Sequence, residues 1–201
     1  LFVIMSFFPQ MVQGPIAHYP KLIEQVKNLK GFEYQRFCMA LQLMLWGYFK
    51  KLVIADRIAV FVNQVFNHIG YYRGLVFVLA LMASAVQLYA DFSGCMDIVE
   101  GVAELFGITL DKNFDVPFSS KSTAEFWRRW HITLGAWFKD YVFFPMSTAS
   151  WNIKISRFFK QKFGTRAGKT VTSIIPLTVV WLLTGIWHGT GLNYVLWGCY
   201  Y

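Results

Sequence analysis

An all-α, polytopic transmembrane helical bundle is the fold class this sequence predicts, and three observations predict it. Apolar residues make up 56% of the 201 residues and charged residues 15%, against roughly 45–50% and about 25% in a soluble domain. The charges gather in gaps between long apolar runs. Aromatic residues reach 19%, with 20 Phe, 10 Tyr and 8 Trp, which suits a chain with many membrane–water interface positions. The net charge of +8 taken alone would fit a nucleic-acid partner. Its confinement to the gaps points to a lipid bilayer instead, with no nucleic acid.

Residues 1–20 carry no Lys, Arg, Asp or Glu, and Pro9, Gly14, Pro15 and Pro20 interrupt them. The length suits a span of about 20 residues, but the prolines predict a broken or re-entrant segment. Such a segment is tolerated where protein covers the freed backbone groups. Residues 21–36 are polar and of mixed charge, as in a surface loop or helix start. Residues 37–49 and 58–72 are uncharged on either side of Lys50, Lys51, Asp56 and Arg57. They predict either one long tilted helix with a charged waist or two shorter helices. Residues 74–90 form a clear span ending at Asp91. Asp97, Glu100 and Glu104 then mark an amphipathic helix, followed by a loop around Pro117.

Ser122-Thr-Ala-Glu125 fits a capping box and predicts an interfacial helix over 123–139. The stretch 154–169 holds six cations and no acid, so it reads as a short cytoplasmic loop by the positive-inside rule. From 170 to 201 there is again no Lys, Arg, Asp or Glu, with Gly185, Gly189 and Gly191 interrupting the run near His188. The chain opens at Leu1 inside one apolar stretch and stops at Tyr201 inside another. The expectation is a single interior fragment, 1–201, of a longer multi-pass protein, with no separate soluble domain. Cys38, Cys95 and Cys199 lack a C-x-x-C spacing and read as small packing residues.

Two constellations are chemically suggestive. His188 sits between Trp187 and Gly189 in the uncharged run. An ionisable side chain there is costly and usually faces an interior cavity. The flanking glycines permit close backbone approach by a ligand, and an imidazole accepts a hydroxyl proton near neutral pH. A satisfied packing histidine is the alternative. In the predicted 123–139 helix, Trp127, His131, Leu134 and Phe138 share one face, and Glu125 is placed to neutralise Arg129. This helix reads either as an interfacial anchor or as the cation-lined wall of a cavity presenting His131. His18 and His68 read as interfacial packing residues. No ligand-like spacing joins His131 to His188, so no metal is expected.

Four stretches together resemble one known family. They are Ser6-Phe-Phe-Pro-Gln-Met-Val-Gln-Gly-Pro-Ile16, then Leu88-Tyr-Ala-Asp-Phe-Ser-Gly94 with Met96-Asp97. Glu125-Phe-Trp-Arg-Arg-Trp-His-Ile-Thr-Leu134 follows, continued by Trp137-Phe-Lys-Asp-Tyr141 and Pro145. Leu183-Thr-Gly-Ile-Trp-His-Gly189 completes the set with Asn193-Tyr and Leu196-Trp-Gly198. They resemble, in family order, the bacterial membrane-bound O-acyltransferases. The resemblance is to the branch of alginate, polysaccharide and peptidoglycan O-acetylation proteins, with the teichoic-acid D-alanyl transfer protein as a sister.

The resemblance implies a multi-pass protein of the inner (cytoplasmic) membrane. It would pass an acyl group, most often acetyl, from a cytoplasmic thioester through a membrane tunnel to a hydroxyl beyond the outer face. It also implies no tightly bound cofactor, with acetyl-CoA or an acyl carrier as donor substrate. The implied partners are an extracytoplasmic acetyl-transfer protein and a cell-envelope polysaccharide. His188 matches the family's essential histidine and His131 a second tunnel histidine. Arg128, Arg129 and Lys139 would attract a phosphorylated donor arm or an acidic carrier. Asp91 and Asp97 match family positions and are expected to hydrogen-bond or charge-pair within the bundle. The alternatives are D-alanyl transfer, a scaffold that recruits a separate transferase, and a transporter or channel.

Overall fold

The computed structural model describes Phe7 and residues 14–29, 31–189 and 191–200, without the Tyr19 side chain. The regular elements among these residues are all helical. The break expected within 1–20 lies mostly outside the described residues, of which 14–18 are irregular. The chain divides into two compact units, the first ending at Thr133 and the second beginning at Leu134.

The first unit starts with α1 (Tyr19–Lys27), with Pro20 in its first turn, where a missing N–H is harmless. Next, α2 (Tyr34–Tyr48), a π-helical stretch (Phe49–Ala55) and α3 (Asp56–Asn67) form one unbroken helical run. Of the two arrangements the sequence allowed, this is the long helix with a charged waist. Its 34 residues measure about 51 Å at 1.5 Å per residue. After α3 comes α4 (Leu75–Leu105), 31 residues long. Both runs are long and apolar enough to cross a membrane, whose hydrocarbon core is about 30 Å thick.

The charge pattern predicts a span ending at Asp91, with Asp97, Glu100 and Glu104 on a separate helix. Instead, α4 runs through all of them, because α2 and the π-helical stretch bring cations to three of these acids. Lys50 Nζ lies 2.5 Å from Asp97 and 3.1 Å from Ser93 Oγ. Lys51 Nζ lies 2.6 Å from Asp91 and 3.2 Å from Asp56, and Arg36 reaches Glu104 at 3.2 Å. The i→i+5 turns of a π-helix hold more residues than α turns. Neighbouring side chains there diverge by less than the 100° of an α-helix, so both Lys50 and Lys51 reach α4. The order of the pairs makes α2 and α4 antiparallel. Small residues bring the two backbones together: Cβ atoms on Gly47 and Gly94 would each fall within 3 Å of the other's carbonyl oxygen.

At one end of α4, Leu22, Ala103, Ile108 and Leu110 form a buried cluster. Gln25 completes it by exchanging two hydrogen bonds with the Thr109 backbone, at 2.8 and 3.1 Å. The loop after α4 includes a 3₁₀ turn (Pro117–Ser119) and leads to α5 (Thr123–Arg129). The single helix expected over 123–139 is broken: α5 stops, Trp130 and His131 are non-helical, and α6 (Ile132–Phe138) restarts.

In the second unit, a π-helical stretch (Lys139–Phe143), α7 (Phe144–Thr148), α8 (Ser150–Phe163), α9 (Thr165–His188) and α10 (Leu192–Tyr200) follow in order. The cationic stretch 154–169 is the end of α8 and the start of α9, not a loop. Gly164, at φ 89°, makes the turn between them. Lys160 and Lys162 in the last turn of α8 complement the negative end of its dipole. Asn152, fully buried, donates to the carbonyls of Met146 and Thr172 at 3.2 and 3.1 Å. Over its 24 residues, about 36 Å, α9 is also long and apolar enough to cross a membrane.

Candidate functional site

The Ser122 half of the expected capping box forms at α5, while Glu125 reaches back one residue past the N-cap. Ser122 Oγ accepts from the Glu125 N–H at 3.1 Å, while Glu125 Oε2 accepts from the Lys121 N–H at 2.9 Å. That amide, and then the Arg129 guanidinium, hold the Glu125 carboxyl below the usual carboxylate range. Arg129 Nη2 lies 2.8 Å from Glu125 Oε1, as the i, i+4 spacing predicts. Its Nη1 reaches Ser119 Oγ and the Asp115 carbonyl, both at 3.4 Å. Arg129 is thus built into the fold, whereas Arg128 beside it is exposed.

The helix breaks after Arg129 because the segment 113–115 offers other partners. The Asp115 N–H donates to the Arg129 carbonyl at 3.0 Å, and the Ile132 N–H to the Asn113 carbonyl at 2.9 Å. Asn113, only 1% exposed, accepts at Oδ1 from the Thr133 N–H at 3.1 Å and from the Thr133 hydroxyl at 3.0 Å. The same oxygen lies 3.1 Å from His131 Nδ1. His131 takes a φ of 47°, a left-handed conformation that costs an L-residue about 1–2 kcal/mol. The surrounding hydrogen bonds, each worth about 1 kcal/mol net, offset that strain. Such strain is stored where a side chain must be aimed. The His131 and Phe92 rings meet edge to face, at a centroid distance of 4.7 Å and an angle of 85°. Trp130 stacks on Phe126 and packs edge-on against Phe114. His131 therefore does not share a helical face with Leu134 and Phe138; loop 113–115 and α4 position it.

In the second unit, His188 is the last residue of α9 and is exposed. Its ring meets Trp197 of α10 at 5.5 Å and 79°. Gly185 and Gly189 do not leave the room for a ligand that the sequence predicts, because α10 fills that space. A Cβ on Gly185 would lie 2.4 Å from the Tyr194 carbonyl oxygen, and one on Gly189 2.4 Å from the Tyr194 ring. Lys139, also in this unit, is exposed, with Nζ 5.4 Å from the Phe144 ring centroid. Asp91 and Asp97 make the charge pairs described above.

Asn113 is the residue the sequence reading missed. It lies 18 residues from His131 in a polar loop, and no periodicity joins the two. Among the described residues, no group of three His, Cys, Asp or Glu converges as a metal site.

The sequence model of the membrane-bound O-acyltransferase family matches residues 5–201. A peptidoglycan O-acetyltransferase of Helicobacter pylori is 35% identical over 201 residues, covering 98% of this chain and 34% of the relative. A probable alginate O-acetylase of Pseudomonas fluorescens is 32% identical over 197 residues, covering 98% of this chain and 36% of the relative. A teichoic acid D-alanyltransferase of Bacillus subtilis is 29% identical over 203 residues, covering 100% and 49%. The chain thus spans about a third to a half of the length of these relatives.

Proposed function

This chain belongs to the membrane-bound O-acyltransferase family, and on that premise we propose that it serves the transfer step of an O-acetyltransferase of the cell envelope. The donor is a thioester, acetyl-CoA or an acyl carrier. The acceptor is a hydroxyl of an extracytoplasmic polysaccharide or of a partner protein that passes the acetyl group on. The acetyl reading is favoured over the D-alanyl one by the relatives named for O-acetyl chemistry, at 35% and 32% identity against 29%. The protein would sit in the cytoplasmic membrane with the cationic α8–α9 turn on the cytoplasmic side.

The position of His188 carries this reading. It is an exposed imidazole at the end of an apolar helix, backed by Trp197. As general base, it takes the proton of the acceptor hydroxyl while the oxygen attacks the thioester carbonyl. A C–O bond forms, the C–S bond breaks, and the proton passes to the departing thiolate. His131 is a second polar group that orients a reactant or relays a proton. Arg128, exposed beside the structurally engaged Arg129, and more weakly Lys139, attract the anionic donor arm.

The test is His188→Gln and His131→Gln at matched expression and thermal stability. Gln keeps hydrogen bonding but cannot take a full proton near neutral pH. Transfer should fall by about 10²–10⁴-fold for His188→Gln and by less for His131→Gln. Near-normal transfer by a well-folded His188→Gln overturns the mechanism.

A further inference from the structure

We infer that Asn113 is a positioning residue that fixes the tautomer of His131, holding the ring proton on Nδ1 and leaving Nε2 as the basic nitrogen. The inference deepens the reading above, in which His131 serves the transfer. It starts from the Thr133 backbone N–H, which can only donate. The Asn113 side-chain atom 3.1 Å from it is therefore the amide oxygen. A flipped amide would set its NH₂ against that N–H, donor to donor, and turn its oxygen toward a thioether sulfur. In the observed orientation Asn113 Nδ2 donates to Met96 Sδ at 3.1 Å, a weak but compatible acceptor.

The Thr133 hydroxyl runs the same way. It accepts from the Ile16 N–H at 3.1 Å and donates onward to Asn113 Oδ1 at 3.0 Å. The Asn113 oxygen is thus an acceptor toward each of its neighbours, and His131 Nδ1, 3.1 Å away, must carry a hydrogen. In a neutral imidazole one nitrogen donates and the other accepts, so the lone pair sits on Nε2. An amide at this position imposes the tautomer without a charge of its own. The left-handed backbone of His131 and the perpendicular Phe92 ring then fix the ring plane.

The test labels histidine with heavy nitrogen in the full membrane protein in bilayers. The His131 signal is assigned by its loss in His131→Gln, and nitrogen shifts at a pH where the ring is neutral report which position is protonated. The native protein should show Nδ1–H. Asn113→Asp, which keeps the acceptor, should retain it, and Asn113→Leu should shift the population toward Nε2–H. Protonation on Nε2 in the native protein overturns the inference, even if neither variant folds. So does an Nδ1–H that survives unchanged in a folded Asn113→Leu. In parallel, transfer should fall in Asn113→Leu by no more than in His131→Gln, because Asn113 acts only through that ring, and recover at least in part in Asn113→Asp. A tautomer that follows residue 113 while transfer stays constant upholds the inference and removes His131 from the transfer mechanism. Loss of transfer in His188→Gln is independent of all these outcomes.

Discussion

A methyl group added at Gly47 tests whether the α2–α4 crossing sets the charged waist of the first unit. A Cβ there would lie 2.5 Å from the Gly94 carbonyl oxygen, 2.8 Å from Ile98 Cγ1 and 2.9 Å from the Ile98 nitrogen. Two of these three are backbone atoms of α4 and cannot rotate away. Non-bonded heavy atoms settle at about 3.5–4.0 Å, so the helices must part by about 1 Å. Overpacking of this kind costs about 1–3 kcal/mol, against roughly 1 kcal/mol gained from replacing a helical Gly by Ala. A further loss adds to this, because Gly47 lies one turn from Lys50 and parting the helices lengthens the Lys50–Asp97 pair. Gly47→Ala should therefore be destabilised, by about 0–2 kcal/mol from packing and helix propensity together and further by the lengthened ion pair, read as a lower midpoint of thermal unfolding in detergent. Gly135→Ala is the matched control. Gly135 lies in α6 with nothing within 4 Å of its added Cβ, so the same substitution should be neutral or stabilising by about 0.4–1 kcal/mol. A Gly47→Ala protein as stable as the parent refutes the reasoning.

The pair Lys50–Asp97, with side chains 13% and 17% exposed, predicts that Asp97→Asn alone costs about 3–5 kcal/mol, while Lys50→Met with Asp97→Leu costs much less; a thermal-unfolding double-mutant cycle measures the difference. Arg129→Gln should lower stability by breaking its ties to Glu125, Ser119 and Asp115, whereas Arg128→Gln should change only donor affinity; equal effects on both readouts would reduce the two to one interfacial anchor. The depressed Glu125 carboxyl should stabilise the α5 cap fully above its ordinary value of 4.5 and lose that contribution as pH falls through the lower folded value. The midpoint gap between Glu125→Gln and the parent should accordingly close on acidification, and a gap independent of pH would contradict it.

Periodicity and composition alone determined the elements whose cause is local. The apolar runs became helices long enough to cross a membrane because a bilayer demands internally satisfied backbone over a set length. The Ser122 cap and the Glu125–Arg129 pair were readable because their partners lie within one turn. His188 stood out because the run around it carries no Lys, Arg, Asp or Glu, and His131 because it follows Arg128 and Arg129 in an aromatic segment. Tertiary structure decided whatever depended on a partner far along the chain. Asp91 and Asp97 stay inside α4 because Lys51 and Lys50 come to them across a π-helical stretch, and no local signal marks that stretch. The helix expected over 123–139 breaks because Asn113 captures the Thr133 N–H and hydroxyl and the His131 ring. Gly185 and Gly189 make room for α10 because Tyr194 and Gly198 need the space. In each case a hydrogen bond, an ion pair or a contact between distant residues outweighs a local preference of about 1 kcal/mol or less.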